Sequence, residues 1–274
     1  MTRNSVALCT SPGVMTLETR EIGEPASGSV LLRVRNCGIC GSDLHFYRGE
    51  FPIPPDMPMG HEIAGEVAAI GEGVAAFSVG DRVAVEPVLV CRECAYCTSG
   101  ERQLCPQRVL LGTGVAGGLQ EYLEVPPYSL HKLPDSVPFH IGALVEPVAV
   151  CVHGFRIVDL KPREHVAILG AGTIGLIAVA VAREMGAASI AITARHSHQA
   201  EAARALGADA VFPASEEGDR ALAATPGRLA RMSCSRLSAA RPTRCLRRCH
   251  SPAPAVGYQC SGCSPSRSAS TPSN

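Results

Sequence analysis

HVAILGAGTIGLIAVAVARE, running from His165 to Glu184, is the stretch whose reading decides the fold. His165–Leu169 reads as a continuous apolar strand. Gly170, Gly172 and Gly175 follow as G-x-G-x-x-G, and an Ala/Ile/Val-rich helix then reaches about Met185. Between a strand and a helix, that motif lets backbone amides and the positive helix N-terminus receive a pyrophosphate. Gly170, Gly172, Thr173, Ile174 and Gly175 are therefore candidate cofactor-binding residues. Val166 to Ala182 carries no charged residue. This run falls just short of a membrane span, and its patterned glycines fit a buried strand entering a helix better.

Working outward, Ser189–Thr193 reads as a second strand and Gln199–Leu206 as a second helix closed by Gly207. Strand, helix, strand, helix opens a doubly wound parallel sheet. The fingerprint expects an acid about 20 residues on, at the end of the second strand, to bind ribose hydroxyls. Ala194 stands there, followed by Arg195. Loss of the carboxylate removes repulsion toward a 2′-phosphate, and the guanidinium offers a planar partner for it. Ala194 and Arg195 thus favour NADP(H) over NAD(H). On the other side, residues 1–150 read as β-rich. Ser29–Arg35, Glu62–Ile70, Asp81–Glu86 and Gln120–Val125 are short β-branched or alternating runs cut by Gly, Pro and Asp turns.

Cys91, Cys94, Cys97 and Cys105 stand in the spacing C-x2-C-x2-C-x7-C. Four thiolates on one short lobe make a closed tetrahedral site, which is structural rather than catalytic. A second set is dispersed: Cys40 in CGICGSD, His61 and Glu62 in GHE, and Glu146 in LVEP. A catalytic zinc needs about three protein ligands and an open position, which a thiolate, an imidazole and a carboxylate supply. Asp43 is placed to hold the far nitrogen of His61.

Composition narrows the classes. The chain has 274 residues, 46% hydrophobic and 18% charged, so it can bury a sizeable core. Aromatics are 4% and Trp is absent, so aliphatic side chains must fill that core. Thirteen cysteines, four of them in one metal-ligand spacing, call for a reducing, cytoplasmic compartment rather than a disulfide framework. No basic segment followed by an apolar one opens the chain, and the zero net charge gives no ground for nucleic-acid or membrane partners. That zero hides an asymmetry. Residues 225–274 carry eight Arg and no acid, leaving residues 1–224 net negative by eight.

Taken together, NCGICGSDLH, GHEIAGEV, VGDRV, the four-Cys lobe, GALVEPVAV and GAGTIG stand in the order of one family. Over residues 5–215 the chain resembles the zinc-containing medium-chain dehydrogenases, especially the sorbitol and polyol branch. The resemblance implies an α/β with β fold: a GroES-like β-rich catalytic domain over 1–150, with a structural zinc lobe at about 88–108, then a Rossmann domain. It implies one catalytic and one structural zinc, with NADP or NAD as cosubstrate. Cys40 and His61 fall at catalytic zinc ligands, and Glu62 and Glu146 at ligands or water-holding carboxylates. Ser42 and His45 fall at the proton relay that carries an alcohol's proton outward. The substrate class is a small alcohol, polyol or ketone, and intact relatives are expected to be homo-oligomers.

The resemblance stops near Thr225. Residues 151–224 are expected to hold the N-terminal half of the Rossmann domain, and 225–274 to be an out-of-frame, disordered tail. Read in a frame starting one base earlier, Arg231 to Cys245 permits DVVFETVGG-ADTL, and Tyr258 to Arg267 permits SVLGLFTEP. Both resemble segments the family has at this point. One base lost, or two gained, near codons 216–228 accounts for the change. The spacing of Cys234, Cys245, Cys249, Cys260 and Cys263 is then accidental. The expectation for the chain as written is an incomplete Rossmann domain without turnover. A non-catalytic zinc-binding fragment is the alternative. A nucleic-acid-binding tail would need a folded basic face with aromatics, and residues 225–274 offer a single Tyr258.

Overall fold

The computed structural model describes residues 2–52 and 56–225, together with the backbone of Arg231–Ser233 and Gly257–Tyr258. The chain divides into two compact units, Met1–Pro147 and Val148–Asn274.

In the first unit, β1 (Thr2–Ser11) and β2 (Val14–Ile22) form an antiparallel hairpin. After them come β3 (Val30–Gly38), α1 (Gly41–Tyr47), β4 (Glu62–Ile70), β5 (Arg82–Val85), β6 (Val88–Leu89) and α2 (Ala95–Thr98). The unit continues through β7 (Val109–Leu110), β8 (Tyr122–Val125), β9 (Leu130–Lys132) and α3 (Phe139–Gly142). β6 and β7 pair as a short ribbon, while an antiparallel sheet takes the order β8-β3-β4-β5-β9. Alternation gives the sheet its inner face. Val30 and Leu32, Val83 and Val85, and Leu123 and Val125 each sit two residues apart and are buried together. Aliphatic residues fill the core, as the scarcity of aromatics requires. The β1–β2 hairpin escaped the sequence reading because β2 is half exposed and mixes Thr, Glu and Arg among its apolar residues.

α4 (Val145–Ile157) spans the division between the units. The second unit then runs β10 (His165–Leu169), α5 (Thr173–Glu184), β11 (Ser189–Ala194), α6 (Ser197–Ala205), β12 (Ala210–Pro213) and α7 (Glu216–Ala223). The charge-free run is β10 entering α5, with Val166, Ile168, Ala178, Val179 and Ala182 buried. Each such Val or Ile contributes roughly 1.5–3 kcal/mol over leaving it exposed. α6 begins two residues ahead of the expected start because Gln199 Oε1 accepts from the backbone N–H groups of Arg195 and His196. Ser215 caps α7 by accepting from Gly218 N at 3.1 Å, and Glu216, Glu217 and Asp219 complement the positive end of that helix.

Beyond residue 225 two short stretches of backbone are described. β13 (Arg231–Ser233) pairs parallel with β10, β14 (Gly257–Tyr258) pairs with β13, and the order is β12-β11-β10-β13-β14. The direction of winding therefore reverses at β10, as in a doubly wound sheet. β10 would otherwise present a free row of N–H and C=O groups, and any extended backbone can pair with those whatever its side chains. The rest of the tail, with Cys234, Cys245, Cys249, Cys260 and Cys263, lies outside the described residues.

Candidate active site and metal centres

The antiparallel register places Gly38 opposite Glu62, so the end of β3 lies beside the start of β4. Cys40, just past β3, thereby meets His61, just before β4. A register shift between Val34 and Asn36 re-aims this end of β3. Gly38 is required by space: a Cβ there would stand 2.0 Å from Glu62 Oε2. One ligand atom from each of Cys40, His61 and Glu62 lies within 4.8 Å of the others. His61 and Glu62 are buried and Cys40 is half-buried.

Asp43 does not hold His61 by a hydrogen bond. Its Oδ1 stands 4.0 Å from His61 Nδ1, too far for one. The carboxylate instead accepts from Cys40 N at 2.8 Å and Gly60 N at 3.3 Å. Asp43 thus fixes the loops that carry two of the site residues. His61 Nδ1 is buried with no hydrogen-bond partner.

Burial sets the electrostatics. It pushes the Glu62 carboxyl above the usual carboxylate range; His61 and the Cys40 thiol oppose that shift and Asp43 adds to it. It pushes Glu146 up as well, with His61 opposing and Glu62 adding. The Cys40 thiol is raised by burial against hydrogen bonds from Ser42. Three acids raised by burial, with the Glu62 charge adding to the shifts of Cys40 and Glu146, are relieved by a cation. Thiolate, imidazole and carboxylate are donors that zinc accepts, so these residues fit the ion. Glu146, in the first turn of α4, stays outside the 4.8 Å cluster, yet His61 and Glu62 both bear on its charge.

Ser42 bonds the Cys40 sulfur, and His45 follows one turn later on α1. His45 is buried, with Nδ1 on Glu50 Oε2 and its ring 5.1 Å from that of Phe51. The sequence reading missed Glu50. A carboxylate that the chain delivers by folding back past a helix end has no spacing signature.

The four-Cys lobe gathers as expected. All four sulfurs lie within 4.8 Å of one another, with Cys91 Sγ 3.8 Å from Cys97 and 3.6 Å from Cys105. Arg92 takes φ +67°, unusual for a residue with a Cβ, and the chain then turns its next amides back on Cys91. The backbone amides of Glu93 and Cys94 pull the Cys91 thiol down to about 6. Desolvation pushes Cys97 up to about 12. Tyr128, also missed, anchors the lobe: its hydroxyl accepts from Val90 N at 3.2 Å and donates to Val90 O at 3.1 Å.

In the second unit the glycine loop takes its expected place. Gly172 caps α5, with Thr173 and Ile174 in its first turn. A Cβ on Gly175 would meet Gly170 O at 1.9 Å, so the close approach of helix to strand needs glycine there. Gly170 N donates to Thr193 Oγ1 at 2.9 Å, tying the loop to β11. Ala194 is buried at the end of β11 and Arg195 is exposed beyond it.

Residues 26–135 match the alcohol dehydrogenase GroES-like domain. An uncharacterised zinc-type alcohol dehydrogenase-like protein of Escherichia coli (strain K12) is 40% identical over 223 residues, 78% of this chain and 64% of that protein. The sorbitol dehydrogenase of Bacillus subtilis (strain 168) is 38% identical over 206 residues, 73% of this chain and 58% of that one. Among solved structures, the short chain alcohol dehydrogenase of E. coli CFT073 complexed with NADH superposes with TM-score 0.78 at 31% identity. That match covers 86% of this chain and 71% of that one. The chain spans about three-fifths of the length of the curated relatives it matches.

Proposed function

We propose, given that this chain belongs to the zinc-containing medium-chain alcohol and polyol dehydrogenases, that it moves a hydride between a secondary alcohol or polyol and NAD(P). The observation that carries this reading is the meeting of Cys40, His61 and Glu62 within 4.8 Å where β3 runs beside β4. These three, with Glu146 beside them, would hold the catalytic zinc, and Cys91, Cys94, Cys97 and Cys105 the structural one. When bound, the catalytic zinc supplies Lewis acidity that eases loss of an alcohol's proton, and the nicotinamide supplies the hydride exchange.

The chain's own residues do the rest. Ser42, against Cys40, takes the hydroxyl proton, and His45 takes it from Ser42. The loop from Gly170 to Gly175 receives the pyrophosphate with its amides and the N-terminus of α5. Arg195, with no acid at Ala194, meets a 2′-phosphate and so selects NADP(H). The described cysteines are free thiols, which suits the cytoplasm.

The test is NAD(P)H formation by the zinc-loaded, frame-restored enzyme on a panel of polyols and secondary alcohols, beside its His61→Ala variant and the 274-residue chain. Turnover by the restored parent, its loss in the variant and none by the 274-residue chain are expected. A folded, zinc-loaded parent that oxidises none of them, or a variant as active as the parent, overturns the reading.

A further inference from the structure

We propose that Glu50 is a positioning residue for His45, holding the imidazole as its Nδ1–H tautomer and leaving Nε2 to take the proton from Ser42. This inference rests on the reading of Ser42 and His45 as a relay.

The chain returns on itself as α1 ends. Gly49 takes φ +72°, and Glu50 N and Phe51 N both donate to His45 O, at 2.9 and 3.4 Å. That return sets the Glu50 carboxylate on His45 Nδ1 and the Phe51 ring 5.1 Å from the imidazole. Phe51 is itself steadied edge-on by Phe46 at 5.5 Å. The His45 side chain is 9% exposed and that of Glu50 27%. The ring is therefore fixed at one nitrogen and covered on one face.

An ionised carboxylate only accepts hydrogen bonds, so the proton between the pair belongs to Nδ1. A neutral imidazole protonated there keeps its lone pair on Nε2. The relay then balances. The alcohol's proton passes to Ser42 Oγ as the serine's own proton passes to His45 Nε2, and the imidazolium returns one proton to water. Glu50 stabilises that imidazolium without taking the proton itself, the logic of a carboxylate behind a general base. Without Glu50 the ring can settle as the Nε2–H form, which has no lone pair to offer there.

The experiment is long-range proton–nitrogen NMR on the zinc-loaded full chain with 15N-labelled histidine, the His45 signal being identified by its loss in His45→Gln. The parent is expected to show Nδ1–H. Glu50→Ala should move His45 toward Nε2–H, and Glu50→Gln should keep Nδ1–H because its amide oxygen still accepts. In the frame-restored enzyme, alcohol oxidation should fall about 10- to 100-fold in kcat for Glu50→Ala, with KM for the alcohol unchanged. A parent in the Nε2–H form overturns the proposal, as does a Glu50→Ala protein that keeps both tautomer and kcat. Should Glu50→Ala fail to fold, the parent's tautomer and that of Glu50→Gln decide. A frame-restored parent with Nδ1–H but no turnover supports the Glu50–His45 pairing and sinks the relay reading alone.

Discussion

At the scale of single residues, the two candidate metal centres differ in how they are made. The four-Cys lobe is local: its ligands fall within Cys91–Cys105, and the left-handed turn at Arg92 aims the next amides at Cys91 within the lobe itself. Such a site can be read from spacing alone. The Cys40–His61–Glu62 cluster depends on two strands meeting in one register, so its grouping in the sequence rested on the donor set and the resemblance and not on spacing. Asp43 shows the cost of guessing partners, since its carboxylate is spent on the amides of Cys40 and Gly60. Binding of metal to thiolates that are not preformed in the unfolded chain contributes directly to folding. Metal analysis of folded protein is accordingly expected to find two zinc per chain, and Cys94→Ser one, with a lower melting temperature. One zinc in the parent and unchanged stability in the variant would remove the structural site.

Among elements, periodicity revealed most where one face is buried. β4 and β10 begin and end where their apolar patterns do, at Glu62–Ile70 and His165–Leu169. β12 and α7 went unread because β12 is short and only partly buried, while α7 owes its start to one capping serine. On the proposed reading, the connection between β11 and α6 governs cofactor choice. Gln199 fixes the backbone at Arg195 and His196, so the Arg195 position is set by a cap and not left to a loose loop. Ala194→Asp with Arg195→Leu should restore a carboxylate at the strand end and remove the guanidinium. A charge-assisted bond of the kind lost is worth about 1.5–3 kcal/mol, so the NADPH/NADH affinity ratio should fall about tenfold or more. Fluorescence titration with each cofactor reads this directly. A parent that already binds NADH more tightly than NADPH contradicts the assignment of Arg195.

For the whole molecule, the informative feature is the change of composition near Thr225. Every acid lies at or before Asp219, and eight Arg follow among residues 225–274. A protein that evolved as one reading frame has no physical reason to reverse its charge balance in the middle of a sheet. The sheet continues across the change all the same, because β13 needs only backbone groups to register Met232 and Ser233 on Ile168 and Leu169 of β10. Pairing through two residues covers little of that edge. In the alternate frame the same codons permit DVVFETVGG, a β-branched run suited to a buried parallel strand at that place in the order. We therefore expect independent sequencing across codons 216–228 to find one base missing or two inserted, and the frame-restored product to bind NADPH more tightly than the 274-residue chain. Mass spectrometry of the protein made in its native cell discriminates the outcomes. Peptides spanning Arg231–Arg244 as written would show the tail to be genuine and would sink the frame argument.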